Sequence, residues 1–403
     1  MDIGFAEALA VVGLLLIGTA TASGLVHRTV LSIAVLSLAA GAALDLTGVV
    51  AVDPAAHAIV IVVELVLLVT LFSDGLLVEQ EFLRRHWRAP GRALAIAMPL
   101  NAALLAFAAK GLFGDLSWAE AFLLGFLLSP TDPVITSSVV SSAHVPAAVR
   151  NILNLESGLN DGLALPFVLF FLALSTDEAG SVVGVAGDLV LESIVGVAVG
   201  VALAVAAGKL LDRLPAWAIT ARYEGLYALG LGLAAFGVAD LAHGNGLIAA
   251  FCAGVGLAVT RHEVPEVFLE FNEGLGSVLQ VVAFALFGAL IVETGFGLAV
   301  VPIIAFILFA LFVARPVSVL VSFVGIRLSA PEKAFVAWFG PKGIASMLFA
   351  LFVLNSTASD RTLVFDIAAL TILASILAHG LTDTVGASWI QRRLERSAHE
   401  TPA

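Results

Sequence analysis

This sequence is short of charge. It carries 19 basic and 31 acidic residues among 403, so only 12% of positions are charged. Its hydrophobic share is 60% and its mean hydropathy +1.07. No soluble domain hides that much apolar side chain behind so little polar cover. Lipid is therefore the solvent for most of the chain. The single cysteine, Cys252, excludes an internal disulfide and reads as inert packing. There is no His-Glu-x-x-His metal motif and no Gly-x-Ser-x-Gly elbow, which argues against an intramembrane hydrolase. No selectivity-filter pattern marks a channel. The opening residues, Met1 to Glu7, lack a basic region, so the first apolar run reads as a retained span and not as a signal peptide. No nucleic-acid partner is expected; the partner is the bilayer.

In lipid every backbone N–H and C=O must pair internally, which leaves helices or a closed barrel. The apolar runs here do not alternate and are about twenty residues long, the length of a helical span. Window hydropathy predicts an all-α polytopic membrane protein of about thirteen spans. They centre near Leu14, Leu36, Leu65, Leu100, Leu127, Leu163, Val197, Leu231, Ala253, Phe284, Leu308, Leu348 and Leu373. Linkers are short, so residues 1–403 read as one transmembrane unit. Its expected parts are a first repeat over about 1–176, a connector span over about 182–210 and a second repeat over about 220–390. Residues 391–403 read as a short basic tail.

The cations are not spread evenly. Alternate linkers hold Arg28; Arg84, Arg85, Arg88 and Arg92; Arg150; Lys209, Arg213 and Arg222; Arg261; Arg327 and Lys333; and Arg392, Arg393 and Arg396. The opposite linkers hold only Lys110 and Arg361, and are rich in acids such as Asp53, Asp115, Glu120, Asp177, Glu178, Glu293 and Asp360. The positive-inside rule then places the C-terminus in the cytoplasm and, with an odd span count, the N-terminus outside. The expected location is the inner or plasma membrane.

Two carboxylates stand out against this background. Asp132 lies in Ser129-Pro130-Thr131-Asp132-Pro133 and Asp161 in Glu156-Ser157-Gly158-Leu159-Asn160-Asp161. A charge at the bilayer centre costs about 2.5–3.5 kcal/mol on insertion scales, so it is kept only if paired, hydrated or working. The fifth span breaks at Asp132, and the twelfth breaks at Phe339-Gly340-Pro341-Lys342-Gly343. Spans seven apart run in opposite directions. Broken helices at matching positions of two halves point to inverted repeats with a midplane ion site, where freed carbonyls and half-helix ends face the ion.

Asp132 and Asp161 supply hard oxygen ligands for a monovalent cation, and Thr131, Ser157 and Asn160 flank them with more. Ser157 and Asp161, four apart, share a helix face. The same carboxylates can hold a proton, and burial and proximity couple their titrations. A site that takes either a proton or a cation, and seldom crosses empty, exchanges one for the other. Glu156 needs a partner, and Arg315 in Ala314-Arg315-Pro316 offers bidentate geometry, as a strut or a gate. Glu64 has two readings, a partner for Lys342 or a residue lining a wet cavity. Asp74 guides cations inward or is a hydrated helix end. His379 reads as a hydrogen-bonded helix residue.

With these residues in view, the chain resembles the monovalent cation:proton antiporters, in the sodium/proton exchanger branch. Thr131-Asp132-Pro133, Glu156…Asn160-Asp161, Arg315-Pro316 and Trp338-Phe339-Gly340-Pro341-Lys342-Gly343 carry the resemblance, which covers the whole chain. It implies a core domain with crossing broken helices, a separate dimerisation domain, and a homodimer moving like an elevator. It implies that Asp132 and Asp161 carry cation and proton, with Thr131 and Ser157 as added ligands. Glu156 with Arg315 is similar to the family's bridge near the site. Asn160-Asp161 is similar to the electroneutral branch. Asp74 falls near the acid of a Phe-Glu-Gly-like motif. No cofactor is implied beyond the transported ions, Na+ with Li+ or K+ as options, and H+. Lys342 departs from the family, which often has Arg there, and a buried Lys could bear on pH response. The competing expectation is a sodium-coupled symporter of an organic solute, which would need a larger polar or aromatic cavity.

Overall fold

Each apolar run forms a helix. The computed structural model describes residues 5–26, 33–48, 57–76, 88–132, 145–176, 181–214, 221–260, 266–292 and 298–400. The helices are α1 (Phe5–Val26), α2 (Ile33–Leu46), α3 (His57–Leu76), α4 (Arg88–Leu112), α5 (Trp118–Leu127), α6 (Ala147–Leu174) and α7 (Val182–Arg213). They continue as α8 (Ala221–Leu241), α9 (Gly246–Thr260), α10 (Glu266–Ile291), α11 (Val300–Ser322), α12 (Ala330–Trp338), α13 (Ile344–Leu354) and α14 (Arg361–Glu400). Eight are long and apolar enough to cross a bilayer, α2, α5, α9 and α13 are shorter apolar helices, and α1 is apolar over Leu9–Thr21. Every span centre named above lies in one of these helices. The stretch read as a basic tail is helical to Glu400, as the end of α14. Pro133, the linker cations Arg28, Arg84, Arg85 and Arg261, and the linker acids Asp53, Asp177, Glu178 and Glu293 lie outside the described residues.

The halves repeat each other's devices, seven spans apart. α5 begins with a capping box, Ser117 with Glu120, and α12 with another, Ser329 with Glu332. α4 contains a π-helical turn at Ala93–Ala97, and α11 contains one at Ala310–Ala314. The cause is visible in the sequence. Pro99 and Pro316 follow these turns at the same distance. A proline cannot donate to the carbonyl four residues back and its ring pushes that carbonyl away, so the turn before it widens.

Close helix pairs are mirrored too. α2 packs on α10 with Gly41 against the backbone of Ala285 and Gly288 against the backbone of Leu38. α3 packs on α9 with Gly75 against Phe251 and Val255, and Gly254 against Phe72 and Gly75. Small residues let backbones approach where lipid gives helices no hydrophobic reason to associate. α7, between the halves, buries Gly196, Gly200, Ala204 and Gly208 at helical spacing, largely against α9. This is an inverted-repeat-like all-α membrane fold.

One end of the bundle ties the halves together. Glu120 closes its capping box through Oε2 and accepts from the Asp360 N–H, at the start of α14, through Oε1 at 2.9 Å. Asp360 lies outside the spans, and partial burial, then Glu120 and Asp115, push its carboxyl above the usual range. Thr176 and Ala358 form an isolated bridge beside it.

A methyl at Gly254 would lie 3.1 Å from Gly75 Cα and closer still to the Phe72 carbonyl. Gly254→Val is expected to destabilise the protein by about 1–3 kcal/mol or more, since backbone on both sides must move. Gly13→Val, with open space around it, is the control. Thermal unfolding in detergent should show a lowered Tm for the first and none for the second.

Candidate functional site

The site is built where both breaks meet. α5 stops at Leu127, and Ser129 to Asp132 run on as non-helical chain. Ser129 Oγ returns a hydrogen bond to Gly125 O at 2.8 Å, capping the helix end. α12 stops at Trp338, Phe339 to Gly343 are non-helical, and α13 resumes at Ile344. Asp132 joins them. Its N–H donates to Pro341 O at 2.9 Å, and its Oδ2 accepts from the Ile344 N–H at 3.1 Å. A carboxylate thus sits at the N-terminus of α13, where the half-helix end is positive. Gly343 is the residue this contact requires, because a Cβ there would overlap the Asp132 side chain.

α6 supplies the other ligands from one face. Ser157 Oγ donates to the Thr131 carbonyl, and Asn160 Nδ2 donates to Thr131 Oγ1 at 2.8 Å. Thr131, Asp132, Ser157, Asn160 and Asp161 are all buried. Asn160 turns its amide nitrogen to Thr131 Oγ1. Its Oδ1 has no protein partner.

Asp74 is closer to the chemistry than the sequence suggested. It ends α3 beside Gly158 of α6. Its carboxyl interacts electrostatically with Asp161, and both feel the charge of Asp132. Neighbouring ionised carboxylates repel, and a proton on one of them relieves that repulsion. Asp74 Oδ2 and Asp161 Oδ1 are buried with no hydrogen-bond partner. Three acids on three elements therefore face one another.

Arg315 and Glu156 are an ion pair, Nη1 to Oε1 at 2.9 Å, and both side chains are buried. Arg315 Nη2 reaches Phe339 O at 3.4 Å, so the guanidinium also holds the second break. A Cβ at Gly340 would overlap that guanidinium. Lys342 is 2% exposed, and its Nζ has no hydrogen-bond partner. Its charge faces those of Arg315 and Glu156. The expected partnership with Glu64 is not made. Glu64 is ten residues before Asp74 on α3, about 15 Å along the axis, too far from the break.

Asn101 was missed in the sequence. Its Nδ2 donates to Ser129 Oγ at 3.2 Å. With Glu156, Asn160, Arg315 and Ser318 it lines a pocket of about 10 Å³ for the centre of a water-sized sphere, room for one water. The available signal was a lone amide within the apolar α4.

Arg315→Ala leaves Glu156 buried without its cation. It should cost about 3–5 kcal/mol, whereas replacing both members by Met and Leu should recover most of the loss. Thermal unfolding of the two variants tests this.

The comparisons agree with this geometry. The family model "sodium/hydrogen exchanger, transmembrane" matches residues 12–385. The K(+)/H(+) antiporter NhaP of Alkalimonas amylolytica is 24% identical over 336 residues, 82% of this chain and 58% of the relative. The K(+)/H(+) antiporter NhaP2 of Shewanella oneidensis is 24% identical over 277 residues, 68% of this chain and 48% of the relative. This chain thus spans about half the length of these relatives. In structure it is similar to the sodium proton antiporter MjNhaP1 from Methanocaldococcus jannaschii, with TM-score 0.77, 20% identity, and 96% and 98% of the two chains covered. The electron-microscopy structure of that antiporter gives TM-score 0.79 over 99% of this chain and all of the other. With a family match running from the first span into the last, and a fold shared along its whole length, this chain belongs to the sodium/hydrogen exchanger family.

Proposed function

We propose that this protein is a secondary antiporter that exchanges a monovalent cation for a proton, one for one and without net charge movement. The observation that carries the reading is the meeting of Asp74, Asp132 and Asp161 at the junction of the two breaks. Asp132 and Asp161 are the carriers, and Thr131 and Ser157 add oxygens. Asn160 holds Thr131 in place. Asp74 belongs to the carrier site and not only to the approach.

The one-for-one exchange is proposed from the repulsion among Asp74, Asp132 and Asp161, which one proton shared in the cluster would relieve. With no cation present, one shared proton lowers the mutual repulsion of three carboxylates. A cation entering the cluster supplies that charge instead and displaces the proton. Each form crosses with the same net charge, so exchange is electroneutral. Thr131, Ser157 and Asn160, small hydroxyl and amide groups, stand beside Asp132 and Asp161, which suits a bare ion. Relatives are named for potassium and for sodium, and sodium is the first ion to test. Glu156 with Arg315 is the strut that fixes α6 to the second break. Lys342 offsets the negative half-helix end of α12.

The proposal extends to the whole molecule. It comprises thirteen spans, with repeats over about 1–176 and 220–390 about α7, a homodimer, the N-terminus outside and the C-terminus in the cytoplasm of a cell's inner or plasma membrane. Its supports are the mirrored capping boxes and π turns and the one-sided linker cations.

Proteoliposomes with an imposed proton gradient test the function. Adding sodium, then potassium, should trigger proton movement that a clamped membrane potential leaves unchanged. Asp161→Asn and Asp132→Asn should abolish it while inserting normally. Asp74→Asn, a permanent donor to Asp161, should slow exchange about tenfold or more, the scale of a hydrogen bond to a charged group. It should also flatten the pH dependence. Full exchange in Asp161→Asn would overturn the assignment.

A further inference from the structure

One face of α14 meets the second break along its whole length. Ser375, His379, Thr382 and Gly386 recur at spacings of four, three and four, one stripe of a helix. The Lys342 N–H donates to Ser375 Oγ at 2.9 Å. Ser375 Oγ is 3.2 Å from His379 Nδ1, and His379 Nε2 is 2.9 Å from Trp338 O. A carbonyl only accepts, so Nε2 carries the hydrogen. In the neutral ring Nδ1 is then the acceptor and takes the Ser375 hydroxyl hydrogen. The His379 ring also stacks on the Trp338 indole at 5.1 Å. Trp338 Nε1 donates to Thr382 Oγ1 at 3.0 Å, and Gly386 leaves room for the Phe339 ring.

Both ends of the break are therefore fastened to one turn of α14. Trp338 O is freed where α12 stops, and Lys342 N–H lies two residues before α13. Between them stand Gly340 and Pro341, which hold no helical shape by themselves. Pro341 O and Ile344 N–H are the two backbone groups that grip Asp132.

We propose that Ser375 and His379 are positioning residues for ion exchange. They act as a clip that fixes the second break to α14 and so sets the backbone that holds Asp132. This rests on the antiport reading above, and it assigns a function to α14 that no ligand residue gives it. If the clip opens, residues 339–343 loosen, and Asp132 loses its fixed partners while every carrier carboxylate remains.

The test uses the full chain in proteoliposomes, with sodium and potassium as probes. Ser375→Ala and His379→Leu should raise the cation concentration for half-maximal flux about tenfold, the effect of losing one or two buried hydrogen bonds. The maximal rate should change less. Ser375→Thr keeps the hydroxyl, and His379→Gln keeps a donor of similar reach, so both should restore wild-type affinity. A second readout does not depend on transport. Hydrogen–deuterium exchange of the peptide covering 339–345 should quicken in Ser375→Ala and stay slow in Ser375→Thr. Unchanged exchange together with unchanged half-saturation in Ser375→Ala would overturn the clip. So would a His379→Gln variant as impaired as His379→Leu. A wild-type protein that moves no protons with either ion would overturn the antiport reading alone, and the exchange readout would still decide the clip.

Discussion

Asp132 is the residue on which the rest of the architecture turns. It gives its N–H to one broken helix's carbonyl and takes an N–H from the start of another. Interrupting a helix in lipid strands backbone groups that water cannot reach, each at a cost of several kcal/mol. Here the two interruptions serve each other. The first break supplies a carboxylate and a donor, and the second supplies a carbonyl and a helix N-terminus. Neither break is tolerable alone, which explains why both occur and why they meet.

The surrounding helices follow from that need. Backbone at such a junction must be approached closely, so glycine stands wherever a side chain would collide. Gly343 faces Asp132 and Gly340 faces Arg315. The Glu156–Arg315 pair costs desolvation on both sides, and one residue of hydrophobic shape in each place could be more stable. Its value lies in geometry. Arg315 also reaches Phe339 O, so one guanidinium ties α6, α11 and the second break.

Much of this was legible in the residues. Mean hydropathy fixed the solvent, and charge in apolar runs marked Asp132, Asp161, Glu156 and Arg315. Matching interruptions, each with a proline and one ionisable residue, marked the two broken helices. What stayed hidden depended on which helices touch. Asp74 is 58 residues before Asp132, and nothing in its neighbourhood shows that α3 ends beside α6. Asn160 had two faces to offer, and only Thr131's position decides that its nitrogen is used. Of the two readings of Glu64, the pairing with Lys342 is not made, since the Lys342 Nζ has no partner. The Ser375–His379 stripe has a readable helical spacing, but its meaning depends on what faces it.

The widened turns in α4 and α11 carry information about the origin of the chain. Each is five residues long, and each is followed by one residue and then a proline, Pro99 or Pro316. Two independent insertions would have no reason to fall in the same register of two helices that run in opposite directions. The simplest history has one ancestral half, already carrying the proline and its loosened turn, copied once and fused to itself upside down. On that account Met98 and Arg315 descend from a single position, and the pairing of Arg315 with Glu156 is a later specialisation of one copy.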